Sequence, residues 1–245
     1  MTNLQLIEEN YMEKKEKLYE GKAKIVYSTE DPGLVIQHFK DDATAFNAAK
    51  KGTVANKGVM NNKISTKIFQ FLEKEGIPTH FEKYLNDREM LIKKVEIVPV
   101  EVIIRNKAAG SLSRMLGLKE GAPLAATVLE FCYKKDELND PLINEYHIKA
   151  LRLASEEEIN QIKRYTLKIN ELMSKFFANL NLELIDFKLE FGRYKGKIIL
   201  ADEISPDTCR LWEVGTGKKL DKDRFRHDLG NIEEAYQEVL SRIEK

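Results

Sequence analysis

The chain has 245 residues, 42% of them hydrophobic, which is enough to bury a large core in one domain or in two closely packed lobes. Its 40 basic and 40 acidic residues balance, and this argues against binding to nucleic acid or to a membrane surface, since both require a basic excess. The sequence has no run long enough to span a membrane and no signal-peptide pattern. We therefore expect a cytoplasmic protein with no membrane or nucleic-acid partner.

The cysteines and histidines have no spacing typical of a metal site. Cys132 and Cys209 are far apart, and the histidines show no pairing such as H-x-x-x-H. Widely separated cysteines favour reduced structural thiols in a cytosolic protein over a disulfide. We interpret both residue types as structural or surface groups.

The N-terminal part of the sequence predicts an antiparallel meander. Residues 4–17 are charged and predict either a helix or a frayed end. Three short apolar runs follow, at Leu18–Tyr19, Ile25–Tyr27 and Leu34–Phe39, with a turn at Asp31–Gly33 before the last of them. Short runs separated by turns are typical of consecutive strands that pair with each other.

A glycine turn with two lysines, Gly21–Lys24, joins the first two of these strands. Such a turn can cover a triphosphate, because the backbone approaches the phosphates closely and the ammonium groups neutralise their charge. The pattern differs from the P-loop, which requires G-x-x-x-x-G-K-[ST]. Solvated lysines beside a hairpin turn are the alternative interpretation, and they are the commoner arrangement.

The middle of the sequence predicts a loop, a helix and two strands. Residues 40–57 are polar and predict the loop, and the helix after them ends before Gly76. The apolar face of this helix consists of Ile64, Ile68, Phe71 and Leu72. The strands are Met90–Val95 and Ile97–Arg105. Their link, residues 94–99, predicts a hinge between two lobes, where backbone groups could meet an adenine edge.

Directly after the second of these strands, residues 105–114 carry three cations, one glycine and two serines. This composition predicts a loop able to bind a phosphate or a carboxylate. A basic loop that faces water is the alternative, and the residues alone do not decide between the two.

The C-terminal half predicts a long helix, a hairpin and a last amphipathic helix. Ser155 and Glu158 form a capping box, and the apolar residues after it have helical spacing. Strict alternation over Leu184–Phe191 predicts a strand with one buried face. A turn near Gly196 and the apolar run Ile198–Ala201 complete a β-hairpin.

The polar face of this hairpin is acidic. If the turn is centred on Gly196, Glu190 lies opposite Asp202, and cross-strand Cβ atoms are about 5 Å apart. Two carboxylates this close repel each other unless a cation lies between them, and such a pair suits Mg²⁺. A solvated hairpin in which Lys188 neutralises its neighbours is the alternative. A register shift of one residue would move Asp202 to the other face.

Together these parts favour an enzyme that uses ATP. Lysines on phosphates, carboxylates on Mg²⁺, a base in a cleft and an arginine pocket for an anionic acceptor are what metal-assisted phosphoryl transfer requires. A kinase-like phosphotransferase with another acceptor is one alternative. A nucleotide-sensing module that binds ATP without turnover is another.

Six segments covering nearly the whole chain carry a resemblance to a known family. They are L-Y-E-G-K-A-K at Leu18–Lys24, K-G-V-M-N-N-K at Lys57–Lys63, V-P-V-E-V-I-I-R-N-K-A-A-G-S-L at Val98–Leu112, L-I-D-F-K-L-E-F-G at Leu184–Gly192, A-D-E-I-S-P-D-T-C-R-L-W at Ala201–Trp212 and D-K-D-R-F-R at Asp221–Arg226. In this order and combination the sequence resembles the phosphoribosylaminoimidazole-succinocarboxamide synthases, or SAICAR synthetases.

The resemblance implies an α+β fold of two lobes, residues 1–95 and 96–245, built on mainly antiparallel sheets with flanking helices. ATP would bind in the cleft between the lobes, loosely as in kinases and ATP-grasp enzymes. The implied reaction activates the carboxylate of 5-aminoimidazole-4-carboxylate ribonucleotide with ATP, most simply as an acyl phosphate. The amine of L-aspartate then forms an amide, with release of ADP and phosphate. The implied cofactors are ATP and Mg²⁺, and the implied assembly is a homodimer.

The resemblance also implies roles for individual residues. Lys22 and Lys188 would be catalytic, and Glu190 and Asp202 would hold the metal. The residues implied for the nucleotide are Lys22, Ala23, Lys24, Lys93, Ile97, Glu190 and Asp202. The residues implied for the imidazole ribonucleotide are Arg105, Ser111, Asp207 and Arg210. Among these, Asp207 would receive the exocyclic amine.

The chain departs from the family pattern at two places. It has T-A-F-N at Thr44–Asn47, where many members have S-A-F-D, and A-N-K-G at Ala55–Gly58, where members often have P-G-K-G. This region is expected to help form the aspartate side of the site. The residues that bind aspartate are therefore the least defined part of the prediction.

Overall fold

The structure, a computed structural model, describes residues 12–45 and 50–245. The strands are β1 Lys17–Glu20, β2 Lys24–Ser28, β3 Leu34–Phe39, β4 Asp42–Ala45, β5 Lys50–Thr53, β6 Phe81–Asn86, β7 Glu89–Lys93, β8 Glu96–Lys107, β9 Pro123–Tyr133, β10 Leu142–Ile143, β11 Leu182–Tyr194, β12 Lys197–Ala201 and β13 Cys209–Glu213. The helices are α1 Lys57–Lys74, α2 Gly110–Leu116, α3 Glu145–Ala150, α4 Glu156–Ala178, α5 Asp223–Arg226 and α6 Ile232–Ile243, with a 3₁₀ turn at Asp136–Leu138. Most of the segment predicted as a helix or frayed end, residues 4–11, lies outside the described residues.

The first sheet contains strands from the N-terminal part of the chain, in the order β1-β2-β3-β7-β6. The first three strands pair antiparallel in sequence order, which confirms the predicted meander. Strand β6 was not predicted. Its pairing with β7 shifts register at two places, and this irregularity removes the period-two pattern that marks a regular strand.

Residues 40–57, predicted as a loop, instead contain a two-stranded hairpin of β4 and β5. The small side chains Ala43 and Ala45 are buried in a minor cluster with Phe225. Gly52 permits this approach, because a Cβ at that position would lie 3.1 Å from the Phe225 ring. The loop prediction was wrong because burial against a distant ring is a tertiary effect that polar local composition does not reveal.

The second sheet has the order β10-β9-β8-β11-β12, and β13 also pairs with β11. Strand β11 is 13 residues long, and all its neighbours are antiparallel. β8 pairs along one edge of β11, while β13 and then β12 pair along the other. Strand β11 is therefore paired on both edges over most of its length.

The link between the two sheets is short. Only Lys94 and Val95 separate β7 from β8. The predicted hinge over residues 94–99 is therefore wrong in extent, because the remainder of that segment belongs to β8. The sheets divide where the sequence predicted the boundary between lobes 1–95 and 96–245, and the division into lobes remains a prediction.

One hydrophobic core connects both sheets with the long helices. α1 packs against α6 and the first sheet, and α4 packs along β11 and β8. The predicted capping box opens α4, with Ser155 and Glu158 exchanging side-chain and backbone hydrogen bonds. Cys132 and Cys209 are buried and free, as predicted. Among the described residues, no helix combines the length and apolarity needed to cross a membrane.

Candidate active site

The polar face of β11 carries most of the candidate site. The residues on its apolar face are all buried, as predicted: Ile185, Phe187, Leu189 and Phe191. The other face presents Asp186, Lys188 and Glu190 in a row, because side chains alternate along a strand. The neighbouring strand β8 places Arg105 opposite Asp186 and Glu101 opposite Glu190. Charged residues from two strands therefore meet on one surface.

The register of the β11–β12 hairpin differs from the prediction by one residue. Glu190 lies opposite Ala201 and not opposite Asp202, because Lys195 and Gly196 form the turn together. Both turn residues have positive φ, 49° and 75°, as in the two-residue turns that match strand twist. Asp202 lies just beyond the end of β12 with φ 65°, so strand alternation no longer decides the direction of its side chain.

Asp202 nevertheless joins Glu190 around a shared lysine. Lys188 Nζ lies 2.6 Å from Glu190 Oε1 and 3.8 Å from Asp202 Oδ2. Lys24 Nζ hydrogen-bonds the other Asp202 oxygen and lies 3.2 Å from Glu203 Oε1. A left-handed backbone at a residue other than glycine is uncommon and is typical of functional sites. Glu190 and Asp202 therefore come together around Lys188, as a pair, although they do not lie opposite each other across the hairpin as predicted.

Three residues of this cluster were not predicted from the sequence: Glu203, described above, Lys134 and Glu101. Lys134, which follows β9, lies 3.0 Å from Glu190, and Glu101 Oε1 lies 2.9 Å from Lys188 Nζ. The position of Glu101 follows from strand alternation once β8 is paired with β11, whereas nothing in the local sequence marks Lys134. We call the following residues the lysine–carboxylate cluster: Lys24, Glu101, Lys134, Lys188, Glu190, Asp202 and Glu203.

The lysines of this cluster keep Glu190 and Asp202 ionised. Burial and the charge of Asp202 oppose ionisation of Glu190, but Lys188 and Lys134 outweigh them and lower the pKa of Glu190. Burial also opposes ionisation of Asp202, and Lys24 and Lys188 nevertheless hold its pKa well below the ordinary value. Burial would lower the pKa of Lys188, but Glu190 and Asp202 raise it. Lys188, Glu190 and Asp202 are therefore all charged at neutral pH.

The donor set of the cluster fits a Mg²⁺ ion. Glu190 and Asp202 both face the position of Lys188 Nζ, which shows that the two carboxylates converge on one cation. Mg²⁺ usually takes one or two carboxylates and completes its shell with substrate phosphates and water. Within residues 12–45 and 50–245, no three or more His, Cys, Asp or Glu side chains form a metal-binding group. The chain therefore offers a pair of ligands and not a closed cage.

The structure separates the residues predicted for the nucleotide phosphates. Lys24 belongs to the lysine–carboxylate cluster, whereas Lys22 points away from it and pairs with Asp136 at 2.7 Å on the surface. Between them, the carbonyl oxygen of Ala23 accepts a hydrogen bond from Lys40 N at 2.8 Å, which ties the turn to the end of β3. Only one of the two turn lysines therefore lies next to the pair formed by Glu190 and Asp202.

Lys93 and Ile97 lie on either side of the link between the sheets. Lys93 Nζ donates to the carbonyl oxygens of Thr79 at 3.2 Å and Phe81 at 3.0 Å, so it ties the end of β7 to the start of β6. Ile97 is half-buried in β8 and pairs with Gly192 of β11. Both are near the point where the chain crosses between the sheets, where an adenine was predicted.

A second charged cluster surrounds Asp186. Arg105 donates from Nη1 to Asp186 at 3.0 Å, from Nη2 to Ser111 at 2.8 Å and from Nε to Glu130 at 2.7 Å. Arg210, on β13, reaches Asp186 from the other edge of β11 and donates from Nη1 to both carboxylate oxygens, at 2.7 and 3.0 Å. The structure therefore brings together the residues Arg105, Ser111 and Arg210 that were predicted to bind the ribonucleotide.

The loop predicted at residues 105–114 is in fact the end of β8 followed by helix α2. Gly110 starts that helix with φ 56°, and Arg210 lies directly over it, since an added Cβ would be 2.4 Å from Nη2. Arg210 Nε also donates to Asp223 at 2.8 Å. Burial would lower the pKa of Arg210, but Asp186 and Asp223 raise it. We call the following residues the arginine cluster: Arg105, Ser111, Glu130, Asp186, Arg210 and Asp223.

Asp207, predicted to receive the exocyclic amine, lies buried in the turn between β12 and β13. Its Oδ2 accepts from Lys57 Nζ at 2.7 Å and from Asn61 Nδ2 at 3.1 Å, and its Oδ1 accepts from the Tyr236 hydroxyl at 2.7 Å. Burial opposes its ionisation, but Lys222 and Lys57 hold its pKa well below the ordinary value. The sequence assigned no role to these partners, because α1 and α6 meet Asp207 only in the folded chain.

One open cavity lies away from these clusters. It has a volume of about 720 Å³ and lies beside β7 and the start of α1, where His38, Tyr84 and Arg88 line it. None of the predicted site residues lines this cavity. The charged clusters, and not the cavity, therefore mark the candidate active site.

The fold and the clusters define the class of the protein. An α+β fold that places lysines, a carboxylate pair and an arginine pocket along one strand is suited to an enzyme that uses ATP. Comparison with known proteins makes this specific, because the family model described as SAICAR synthetase matches residues 17–243. The chain belongs to the SAICAR synthetase family.

Individual relatives agree with this assignment over almost their full length. The phosphoribosylaminoimidazole-succinocarboxamide synthase of Caldanaerobacter subterraneus subsp. tengcongensis is 61% identical over 234 residues, which are 96% of this chain and 100% of that protein. The crystal structure of the Ehrlichia chaffeensis synthase has a TM-score of 0.92 at 48% identity, covering 94% of this chain and 98% of that one. A SAICAR synthetase in complex with ADP has a TM-score of 0.89 at 47% identity, covering 92% and 96%. The predicted family, fold and enzyme class, an ATP-dependent ligase, are confirmed.

Proposed function

We propose that the chain joins L-aspartate to 5-aminoimidazole-4-carboxylate ribonucleotide in purine (IMP) biosynthesis, giving SAICAR, ADP and phosphate. The observation that carries this proposal is the arrangement of β11, which has the lysine–carboxylate cluster and the arginine cluster on one face. Phosphoryl transfer and recognition of an anionic acceptor can then occur side by side. The relative bound to ADP, at 47% identity, supports the use of an adenine nucleotide.

The chemistry requires activation, because an unmodified carboxylate would have to expel oxide. In the proposed route a carboxylate oxygen of the ribonucleotide attacks the γ-phosphorus of ATP, and the bond from that phosphorus to ADP breaks. The amine of aspartate then attacks the acyl carbon of the resulting acyl phosphate, inorganic phosphate leaves and the amine loses a proton. Lys24 and Lys188 stabilise negative charge on the phosphoryl group in this scheme.

The metal and nucleotide roles are assigned to residues at the junction of the two sheets. Glu190 and Asp202 would hold Mg²⁺, which supplies positive charge to the phosphates when bound. Lys22 is proposed as a catalytic lysine. It would exchange its surface partner Asp136 for the phosphates, since surface ion pairs are weak. Backbone groups around Ala23 would cover the phosphates. Lys93 and Ile97 would lie on the adenine side.

The acceptor roles are assigned to the arginine cluster and to Asp207. Arg105, Ser111 and Arg210 would bind the phosphoribosyl-imidazole, and Asp207 would accept a hydrogen bond from its exocyclic amine. The β4–β5 hairpin and the start of α1 are proposed to form the aspartate side. Support for this comes from Lys57, which joins the start of α1 to Asp207 at 2.7 Å.

We also propose that the protein is a cytoplasmic homodimer. Two buried free thiols support a reducing compartment.

The contact with a second copy is supported by exposed apolar side chains on and after α2, namely Met115, Leu116 and Leu118. Light scattering coupled to size-exclusion chromatography tests the assembly, and a monomeric mass at micromolar concentration contradicts it.

Phosphate release tests the reaction. It is measured with ATP and Mg²⁺ in four mixtures: with both the imidazole carboxylate ribonucleotide and aspartate, with either one alone, and with neither. The proposal expects release when ATP, Mg²⁺, the imidazole carboxylate ribonucleotide and aspartate are all present, with stoichiometric formation of the amide. It expects loss of turnover when a chelator removes the metal and recovery when Mg²⁺ is restored. Phosphate transfer to a hydroxyl would instead identify a kinase-like enzyme, and tight ATP binding with no turnover would identify a sensor.

A further inference from the structure

The C-terminal helix α6 reaches the candidate site through one buried side chain, Tyr236. Tyr236 is 1% exposed, and its hydroxyl donates to Asp207 Oδ1 at 2.7 Å. Burial and the neighbouring Asp207 raise the pKa of Tyr236 far above its ordinary value, so the phenol remains a hydrogen-bond donor throughout the physiological range. The buried turn of Asp207 is thus tied directly to the end of the chain.

The hydrogen bonds to Asp207 leave little freedom for its carboxylate. Lys57 and Asn61 occupy Oδ2, at 2.7 and 3.1 Å, and Tyr236 occupies one position on Oδ1. An ionised carboxylate has about four acceptor positions, and across residues 12–45 and 50–245 these three groups are its side-chain donors. Lys222 Nζ, at 3.9 Å from Oδ1, is too far for a hydrogen bond. One acceptor position on Oδ1 therefore remains.

The backbone around Asp207 is also fixed. Asp207 N donates to Ser205 Oγ at 3.1 Å, and Ser205 Oγ donates in turn to Glu203 at 3.0 Å. With the main chain held on one side and Oδ2 held by α1, rotation of the carboxylate is the remaining freedom. The Tyr236 hydroxyl is placed to remove that freedom, because it holds the oxygen that α1 does not.

We propose that Tyr236 is a positioning residue, which orients the free acceptor position of Asp207 toward the exocyclic amine of the imidazole ribonucleotide. This inference rests on the proposed function, since it requires Asp207 to contact that substrate. Its physical basis is preorganisation: a carboxylate already held in the binding orientation loses less conformational freedom when the substrate arrives. α6 thereby contributes to substrate affinity without touching the substrate.

Tyr236→Phe tests the inference, because it keeps the ring and removes only the hydroxyl. A hydrogen bond to a charged group is worth enough to expect a rise of about tenfold in KM for the imidazole ribonucleotide. We expect kcat and the KM for ATP to change by less than about twofold, since the nucleotide contacts are untouched. The matched control is Tyr84→Phe, which removes a comparable hydroxyl bond, to Asp87 at 2.8 Å, outside the site.

A double-mutant cycle separates positioning from simple packing. In an Asp207→Asn background, Tyr236→Phe should raise the ribonucleotide KM by less than about twofold, because its effect acts through that carboxylate. An equal effect in both backgrounds overturns the inference, as does an unchanged KM in Tyr236→Phe alone. If Tyr236→Phe is destabilised, the ribonucleotide KM is measured at a temperature at which a thermal melt shows the variant folded, and the same outcomes decide the question.

The same experiments distinguish failure of the inference from failure of the proposed function. If Asp207→Asn leaves the ribonucleotide KM and kcat unchanged, Asp207 does not contact the substrate and its proposed role is wrong. If Asp207→Asn weakens binding and Tyr236→Phe does not, the role of Asp207 stands and the inference about Tyr236 is wrong.

Discussion

The lysine–carboxylate cluster and the arginine cluster lie on the same face of β11, yet they are built differently. In the first, the side chains of Lys188 and Lys134 are 28% and 37% exposed, and Lys188 is shared among several acids. In the second, the side chain of Arg105 is 4% exposed, and each of its three nitrogens donates to a different partner. Two of the lysines in the first cluster are partly exposed and share carboxylate partners, whereas Arg105 in the second is buried and has a separate partner for each nitrogen.

This difference matches two chemical tasks. A phosphoryl group changes its charge and position during transfer, so lysines that can exchange carboxylate partners for phosphate oxygens are suited to it. A nucleotide acceptor must be held in one place, so guanidinium groups already fixed by Asp186 need little reorganisation when it binds. The comparison predicts that substitutions in the first cluster affect turnover, whereas those in the second affect acceptor affinity.

The largest expected effect is on turnover, from Asp202→Asn. Loss of one of the two proposed metal ligands should lower kcat by roughly a hundredfold or more, which is the scale of removing an electrostatic group from an active site. The fold should persist, because Lys24 retains Glu203 at 3.2 Å and Lys188 retains Glu190 at 2.6 Å. Steady-state kinetics and a thermal melt measure the two properties.

Glu183→Gln is the matched control for this substitution. Glu183 is also a carboxylate of the second sheet, and it pairs with Lys107 at 2.6 Å outside both clusters. The kcat of Glu183→Gln should equal that of the unsubstituted protein. If Asp202→Asn retains parental kcat, or loses it only in proportion to unfolded protein, the pair formed by Glu190 and Asp202 does not hold the catalytic metal.

The next largest effect is expected for Arg210→Lys, which keeps the charge and removes the planar fork. Arg210 bridges Asp186 and Asp223, so a lysine cannot reproduce both contacts. We expect KM for the imidazole ribonucleotide to rise about tenfold while KM for ATP is unchanged. Arg242→Lys, in the last turn of α6 and outside both clusters, is the control. Parallel changes in both KM values would show that the two clusters are not functionally distinct.

A smaller effect concerns stability at acid pH beside the lysine–carboxylate cluster. His80 is 2% exposed and packs edge-on against Phe69, with ring centroids 5.2 Å apart. Burial, opposed by Asp202 but aided by Lys24 and Lys93, lowers its pKa from 6.5 to about 3. Between these values the unfolded chain binds a proton that the folded chain does not. The contribution of His80 to stability is therefore complete above pH 6.5 and is lost as the pH falls toward 3.

His80→Phe should remove this contribution, since phenylalanine does not titrate and fits an aromatic environment. Urea unfolding at several pH values should show a shallower loss of unfolding free energy on the acid side, by up to roughly 1.4 kcal/mol per pH unit. His227→Gln, which removes an exposed histidine, is the matched control. Equal slopes for wild type and His80→Phe would mean that His80 is protonated in the folded state.

The sequence predicts the apolar face of β11 correctly, because alternation is a local property of a strand. It misplaces the hairpin register because the turn depends on Lys195 and Gly196 adopting positive φ together. The lysine–carboxylate cluster still forms, since the left-handed backbone of Asp202 redirects a side chain that alternation would have sent away. The local pattern therefore predicted that Glu190 and Asp202 lie close together, which they do, but it predicted the wrong hairpin register.

The residues that were not predicted share one physical cause. Lys134 reaches Glu190 from the strand two positions away in the sheet, and Tyr236 and Lys57 reach Asp207 from two different helices. Each contact joins residues far apart in sequence, and no periodicity or turn signal encodes it. Conversely, Lys22 belongs to a segment that matches the family, but the structure pairs it with a surface acid.

The smallest effect on stability and turnover is expected for Lys22→Gln. Its comparison with Lys24→Gln separates the roles of the two lysines in the Gly21–Lys24 turn. Lys22 and its partner Asp136 have side chains 42% and 68% exposed, so loss of this pair should cost less than about 1 kcal/mol of unfolding free energy. If Lys22 swings toward the phosphates during turnover, the KM for ATP should rise a few-fold while the melting temperature stays constant. Lys24→Gln, at a side chain 13% exposed and bonded to Asp202 and Glu203, should lower both stability and turnover. An unchanged KM for ATP in Lys22→Gln would contradict a role for Lys22 at the phosphates and would leave Lys24 as the catalytically relevant lysine of the turn.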